Sequence, residues 1–568
     1  MVEDYLGVRV GLKTGNNDRF LRFWWEVKEN KDKWFGYSKG GPYQKWAGNL
    51  WAVVNWENNG QEIIEWCKYL NTINTPGGVA VNRKYYFRKG ITYSASGSKG
   101  VSFRHLPENH IFDVGGSSVF IEGEFDNIYY FLAFLNSKII YFLSNCLNPT
   151  VNIQVGDIKR IPTIIPSKEF EDKITLISKS CVKIQEYINS FNLHEKSYAT
   201  SPLIKFRNQN ITLSVKQFLD YINSLSSQII INEAIINEKI FEVYELTDAD
   251  KAMVLAKEGE SIGALPVSAD AKAAYLANEV AEFPLDHNRE YIQNLPEQAF
   301  EVSTREAIEN EFPQLYQSNN DLEEFCIRHQ INPINVWYWF KESNIIPKQR
   351  MNDLAMEFLA DLLREILMED EDGIIPLVPN AGEKVLLDRI EEKFMEKGFS
   401  MAQYSSFDNV LGRELNEYIN KHFFKNFSDH LNLFMYLPKT PFIWHLTSGP
   451  EQGFDCYIII YKWSRDRLQS IRSRYIEQRE RSLQNRQSDL RAKSTLSASE
   501  QNELDKIYKQ LKEIESFKQK IDELLAEGYN PILDDGVGKN IAPLQNKKMI
   551  AYEVLNAGQL KKYLNADW

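Results

Sequence analysis

Val151-Asn152-Ile153-Gln154-Val155-Gly156-Asp157-Ile158 alternates apolar and polar side chains; beyond Pro162 and Pro166 the apolar positions become Phe170, Ile174, Ile177, Cys181, Ile184, Ile188 and Phe191, spaced by four and three. A period of two puts successive side chains on opposite faces of a strand, whereas a period near 3.5 draws one seam along a helix. The chain therefore changes architecture here, from β-type before Pro166 to helical after it. Upstream, short β-type runs are separated by turn signals at Asn16-Asn17, Gly40-Gly41-Pro42, Asn58-Asn59-Gly60, Pro76-Gly77-Gly78 and Gly115-Gly116. One helix interrupts them, predicted from an N-cap at Asp126 through Ile128, Phe131, Leu132, Leu135, Ile139 and Phe142.

Downstream, Val215, Phe218, Ile222, Leu225 and Ile229 form a second seam, so an antiparallel helical pair is expected. Residues 245–350 read as short helices joined by Pro and Asn turns, with Trp337-Tyr338-Trp339-Phe340 as core. Leu354, Phe358, Leu362 and Ile366 continue the helical pattern as far as Glu369-Asp370-Glu371-Asp372-Gly373, which fails the calcium-loop spacing and reads as a solvated turn. A β segment returns over 442–461. A basic helix follows, with ten Lys and Arg from Lys462 to Lys493 against four acids, and a capping box at Ser497 and Glu500 opens a partner helix with a seam from Leu504 to Leu524.

The expected fold class is α+β multidomain: an N-terminal β-rich target-recognition domain (1–166), a long antiparallel helical spacer (167–245), a helical connecting region (246–350), an α/β C-terminal domain with a small sheet (351–462), a coiled-coil-like basic helical hairpin (463–528) and a C-terminal tail (529–568). At 568 residues the chain exceeds one hydrophobic core, which supports several domains. Five dispersed cysteines without a CxxC pair argue against disulfide scaffolds and zinc knuckles, and His445 reads as structural. With no secretory leader and no continuous apolar span, a cytoplasmic location and no membrane partner are expected.

The net charge of −12 hides an asymmetry, because residues 1–166 carry 19 Lys and Arg against 15 acids and hold 7 of the 12 tryptophans. Cations and aromatic faces on turn-rich backbone suit a polyanion bearing planar bases. Candidate DNA-binding residues are Thr14, Asn16, Asn17, Arg19, Arg22, Lys39, Lys45, Asn49, Asn55, Arg83, Ser94, Ser96, Lys99, Arg104, Asn152 and Gln154, with Arg465, Arg472 and Arg474 as phosphate contacts on the basic helix. A nuclease built on Asp18, Glu26 and Lys28 is a weak combination, and a carbohydrate-binding first domain is weaker still. No Pro-Pro dipeptide occurs, so the Asn-Pro-Pro-aromatic motif of adenine methyltransferases is missing from this sequence; Gly536-Val537-Gly538-Lys539-Asn540 also lacks the spacing of a phosphate loop. No catalytic, cofactor or metal residue is assigned.

Several longer words are more specific. Gly11-Leu12-Lys13-Thr14-Gly15-Asn16-Asn17-Asp18-Arg19-Phe20, Val54-Asn55-Trp56-Glu57-Asn58-Asn59-Gly60, Phe112-Asp113-Val114-Gly115-Gly116-Ser117-Ser118, Leu147 to Ile158, Pro441 to Pro450, Tyr461-Lys462-Trp463, Asp534-Asp535-Gly536-Val537 and Gly558 to Leu564 resemble the PglX family, the adenine-specific DNA methyltransferases of BREX phage-defence systems. The resemblance implies recognition of a short asymmetric sequence in double-stranded DNA, with S-adenosylmethionine and the flipped adenine held by a catalytic half that this chain lacks. It also implies partnership with that half or with other defence-system proteins. Residues 152–158 and the long helix that follows are similar in layout to restriction-system specificity subunits. The expected function is DNA recognition without catalysis; the alternative is a non-catalytic assembly protein that docks a partner through its helical half.

Overall fold

A computed structural model describes all residues except 71–78, 96–98, 151, 279 and 319. The architecture is α+β, with small sheets among many helices, and the chain divides into two compact units. The first comprises Met1–Leu21, Asn30–Asn208 and Thr212–Met351; the second comprises Arg22–Glu29, Gln209–Ile211 and Asn352–Trp568.

In the first unit, strands Leu6–Arg9, Ser118–Ile121, Gly90–Tyr93 and Phe103–Leu106 form a sheet in that order, each neighbour antiparallel. Trp34–Ser38 pairs antiparallel with Ala52–Asn55 and parallel with His110–Phe112. Tyr37, Val54, Trp56, Tyr85, Phe112 and Phe120 fill one core cluster of this β-rich part. Asn58, Asn59 and Gly60 are all left-handed, at φ 50, 60 and 75°, and redirect the chain into a helix (Glu57–Tyr69 including the turn) that the turn signal alone had not suggested. A Cβ on Gly60 would lie 2.3 Å from the Trp56 ring. Gly60→Ala is therefore expected to lose about 1–3 kcal/mol in chemical denaturation, from a strained φ combined with overpacking.

Three expectations are corrected here. The single helix over 126–142 is two, Ile128–Leu135 and Lys138–Leu147, bent by 64°. The break has a purpose: the Asn136 amide accepts from Phe103 N at 3.0 Å and donates to Phe103 O at 2.9 Å, so it serves a strand rather than its helix. The N-cap is Asn127, which accepts from Tyr130 N, and not Asp126. The alternating segment is no strand either: Val155–Lys159 is a short helix, begun where the Asp157 carboxylate accepts Gln154 N at 2.9 Å, and Val151 lies outside the described residues.

The helices Lys168–Asn189 and Ile211–Val243 run antiparallel, since Tyr187 meets Tyr221 while Phe191 meets Phe218. The first keeps its seam, with Ile174, Ile177, Cys181 and Ile184 buried. The second is buried on more than one face, because Leu219, Asn223, Ser224, Ile231 and Ala234 are covered as well. An all-round buried helix is the axis of a core. Residues 246–350 supply its cover: Tyr275 Oη donates to Ser224 O at 2.9 Å, Asn288 to Asn232 Oδ1 at 3.1 Å, and Trp337 and Trp339 are core side chains.

In the second unit, Asp455–Ile459 lies between Ile443–Thr447 and Ile374–Pro376 in an antiparallel sheet. His445 Nε2 sits 2.9 Å from Asp455 Oδ2, both buried, as expected of a structural histidine. The acidic run before the sheet is not merely a solvated turn. Asp372 is buried, accepts Ile374 N at 3.0 Å and takes the Tyr475 hydroxyl at 2.8 Å, while Asp370 accepts from Arg389 at 2.7 Å. Arg22–Glu29 packs within this same unit: Trp25 Nε1 donates to Thr440 O at 2.9 Å, and the buried Glu26 carboxylate accepts Phe23 N and Val537 N. Burial raises the Glu26 pKa, and its oxygens are engaged, so the Asp18–Glu26–Lys28 nuclease has no geometric basis.

The hairpin forms as expected. Arg465–Ser470, a π-turn at Ile471–Ile476 and Glu477–Arg491 make one arm; Ala498–Ala526 makes the other, capped by Ser497 and Glu500. Lys493 and the Ser497 backbone hold Glu500 down to about 2, from an ordinary 4.5, and Glu503 and Glu523 are lowered by Arg486 and Lys547. A carboxylate lowered on folding stabilises above its unfolded pKa and loses that stabilisation as pH falls toward the folded value. Hydrogen exchange at the start of Ala498–Ala526 is accordingly expected to accelerate between pH 4.5 and about 2; unchanged protection over that range would contradict the assignment.

Candidate nucleic-acid interface

The cations expected to face DNA divide sharply by environment. Arg104 is fully buried and donates to Gln44 O, Ser102 Oγ and Ser94 Oγ; burial lowers its pKa to about 10. Lys45 is buried between Glu233 and Glu323, and Lys39 lies 2.6 Å from Asp113. Arg22 is buried and donates to Asp534 O and Asp535 O within the second unit. Arg19 bonds Glu62 at 2.8 Å with its guanidinium 5.0 Å over the Trp66 ring.

The polar candidates are also engaged in the fold. Thr14 donates to Asn17 Oδ1, Asn16 caps the turn that holds Arg19, Asn49 donates to Pro42 O, Asn55 donates to Glu62, and Ser94 donates to Gly41 O. Ser96 lies outside the described residues. Lys99 is exposed but pairs with Glu324 at 2.8 Å. Asn152 and Gln154 stand exposed on either side of Ile153. On the hairpin, Arg472 bonds Asp522, Arg465 reaches Leu525 O, and Arg474, 51% exposed, lies 3.7–3.8 Å from Glu383 and Asp372. The basic arm is thus partly neutralised by its partner helix, through Arg472 with Asp522 and Arg486 with Glu503, while Lys518 of the partner helix pairs back to Glu480.

One group of cations has no such partner. Arg83, Lys84, Arg88 and Lys89 are exposed around the tight turn Arg83–Tyr85 that leads into the strand Gly90–Tyr93, and none forms an ion pair among the described residues. The turn is fastened from beneath. Tyr85 and Tyr86 are buried, Tyr85 bonds Glu122, Tyr86 meets Trp56 edge-on at 5.4 Å, and Asn82 Nδ2 donates to Val10 O at 2.9 Å. Ring faces steer the cations: Arg83 lies 5.5 Å over Trp56, while Lys84 and Arg88 lie 4.9 and 5.5 Å from the Tyr85 centroid. Four exposed charges on an anchored turn are suited to phosphate oxygens, which reward positive charge at little positional cost.

Of these four, only Arg83 was among the candidate residues. Lys84, Arg88 and Lys89 could have been found by their density, four cations within seven positions around Tyr85-Tyr86-Phe87. Among the described residues no cluster of His, Cys, Asp or Glu could hold a metal ion. The glycines at 536 and 538 form no cradle for a nucleotide, since a Cβ at Gly538 would meet the Tyr563 ring at 2.6 Å and one at Gly536 the Arg22 side chain at 2.6 Å. No single helix among the described residues is long and apolar enough to cross a membrane.

No family model matches the chain. Among curated proteins, it is 24% identical over 506 residues to the adenine-specific methyltransferase BrxX of Escherichia coli O9:H4 (strain HS), covering 83% of this chain and 36% of that protein. It is also 24% identical over 575 residues to the adenine-specific methyltransferase PglX of Lacticaseibacillus casei (strain Zhang), covering 96% of this chain and 42% of that protein. The chain thus spans about two fifths of the length of these relatives. Over most of its length the chain is therefore similar to parts of two adenine-specific methyltransferases, one of them named PglX, as its own sequence words indicated.

Proposed function

We propose that the chain is the DNA-recognition portion of an adenine-specific methyltransferase of a BREX-type defence system, and that its first unit grips the duplex through Arg83, Lys84, Arg88 and Lys89. The observation that carries this reading is the exposure of these four cations, without an ion pair among the described residues, on a turn anchored by Tyr85 and Tyr86. In this reading they hold phosphates, and the exposed amides of Asn152 and Gln154 are offered to base edges. The two relatives lend the adenine methyltransferase context.

Methyl transfer is assigned to a catalytic portion outside these residues, together with its S-adenosylmethionine. The sequence lacks an Asn-Pro-Pro-aromatic motif, and the Gly536–Gly538 region is filled by side chains. The purified chain, incubated with duplex DNA and radiolabelled S-adenosylmethionine, is expected to leave the DNA unlabelled, while retaining it in a gel-shift assay at low salt. Labelled adenine would overturn the division of labour, and no retention would remove the DNA reading.

A second reading, partner docking by the second unit, is favoured by Met435 and Tyr436, which are 92% and 58% exposed. Capture of defence-system proteins without any DNA retention would select it.

A further inference from the structure

Two recesses in the first unit share Tyr141, Lys99 and Glu258 in their walls, and enclose about 220 and 230 Å³. The helix Lys138–Leu147 carries Tyr141 and Ser144 one turn apart, so both face the same side. Their hydroxyls are buried and neither makes a hydrogen bond among the described residues, although the Tyr43 phenol lies beside Tyr141. The neighbouring polar groups do have partners: Asn145 Nδ2 donates to Glu258 Oε1 at 3.1 Å, Lys138 Nζ to Glu258 O at 3.0 Å, and Lys99 Nζ to Glu324 at 2.8 Å.

An orphaned buried hydroxyl costs about 1–3 kcal/mol, so two on adjacent turns mark a place where a partner is missing. Each recess is several times the ~30 Å³ share of one water molecule. Burial pushes the Tyr141 phenol up to about 12, so it keeps its proton and offers an O–H donor. The second recess is lined by one cation, Lys99, and one carboxylate, Glu258, a balance of charge that favours a neutral ligand over phosphate. What this wall offers is a carboxylate beside a side-chain amide, two free hydroxyls and a tyrosine ring. A carboxylate can accept from two adjacent ligand hydroxyls, while the free O–H groups donate to their oxygens or to a carbonyl.

We propose that the recess bounded by Tyr141, Ser144, Asn145 and Glu258 binds a neutral small molecule bearing a vicinal diol, the chemistry shared by a ribonucleoside and a sugar. The site is separate from the basic turn and does not depend on the DNA reading.

Saturation-transfer NMR on the full chain with millimolar uridine, 2′-deoxyuridine and glucose tests it. Signal from uridine but not 2′-deoxyuridine identifies a nucleoside diol, and signal from glucose alone identifies a sugar; either supports the site. Tyr141→Phe combined with Ser144→Ala should weaken binding at least about tenfold, while the unliganded protein melts no lower, because the variant removes unsatisfied groups. Glu258→Gln, which keeps the shape of the wall, should also weaken binding and serves if the double variant misfolds. Silence from both uridine and glucose, or binding that neither variant changes, overturns the proposal.

Discussion

Lys45→Met is expected to lower the stability of the first unit by roughly 3–5 kcal/mol, the scale for removing one member of a buried ion cluster. Lys45 lies between Glu233 and Glu323, all three largely covered, with Trp46 Nε1 donating to the other Glu233 oxygen at 2.7 Å. Without the ammonium, the two carboxylates lose the cation bonded to both and keep only the more distant Lys138 as countercharge. Burial alone would disfavour the charged amine, but Glu233 and Glu323 together outweigh it and hold the Lys45 pKa well above its ordinary 10.5. A raised lysine contributes fully below its unfolded pKa and loses that contribution only as pH rises through the folded value, so the cluster stabilises across the neutral range. Urea denaturation followed by hydrogen exchange in Ile211–Val243 reads the loss. Adding Glu233→Gln to Lys45→Met should recover part of it, because the uncompensated charge is removed. A cost for Lys45→Met under about 1 kcal/mol, the scale of an exposed pair, would contradict the buried cluster.

Replacing Arg83, Lys84, Arg88 and Lys89 together by alanine is expected to weaken duplex binding by up to roughly 10³-fold at ~0.1 M salt. Each neutralised phosphate contributes a log–log salt slope of about 0.9, so four contacts amount to some three and a half decades between ~0.1 M and ~1 M salt. The loss should be uniform across DNA sequences, as phosphate contacts carry no base information. Folding should survive, because these side chains are exposed and the cation–ring contacts they forfeit are worth about 0.5–1 kcal/mol each. Fluorescence anisotropy with two unrelated duplexes checks both points. A loss confined to one sequence would make these residues base readers instead, and no loss would place the contact elsewhere.

The helical half of the fold was legible because its signals are local. The Ser497–Glu500 cap, the seam from Ile174 to Ile184 and the tryptophans at 337 and 339 need no distant partner to be read, and each sits as the pattern implied. The break at Asn136 was not legible, since its cause is the backbone of Phe103 on another strand. Nor was the burial of the second long helix, whose covering residues come from 246–350.

The cationic surface shows the same limit more clearly. Lys39, Lys45, Lys84 and Lys89 are alike as letters, yet Lys45 finds its carboxylates at Glu233 and Glu323, far along the chain. A lysine left on the surface and one drawn into an ion pair differ only in tertiary context. Local density was the better guide, because four cations within Arg83–Lys89 outnumber any carboxylates the same turn could supply.

The most direct test of the account is chemical acetylation of the full chain, with and without a saturating duplex, followed by peptide mass spectrometry. Lys84 and Lys89 should be modified freely in the absence of DNA and protected in its presence, with hairpin lysines such as Lys506 and Lys512 unaffected. If Lys84 and Lys89 react equally under both conditions while other lysines become protected, the anchored turn is not where this protein holds DNA.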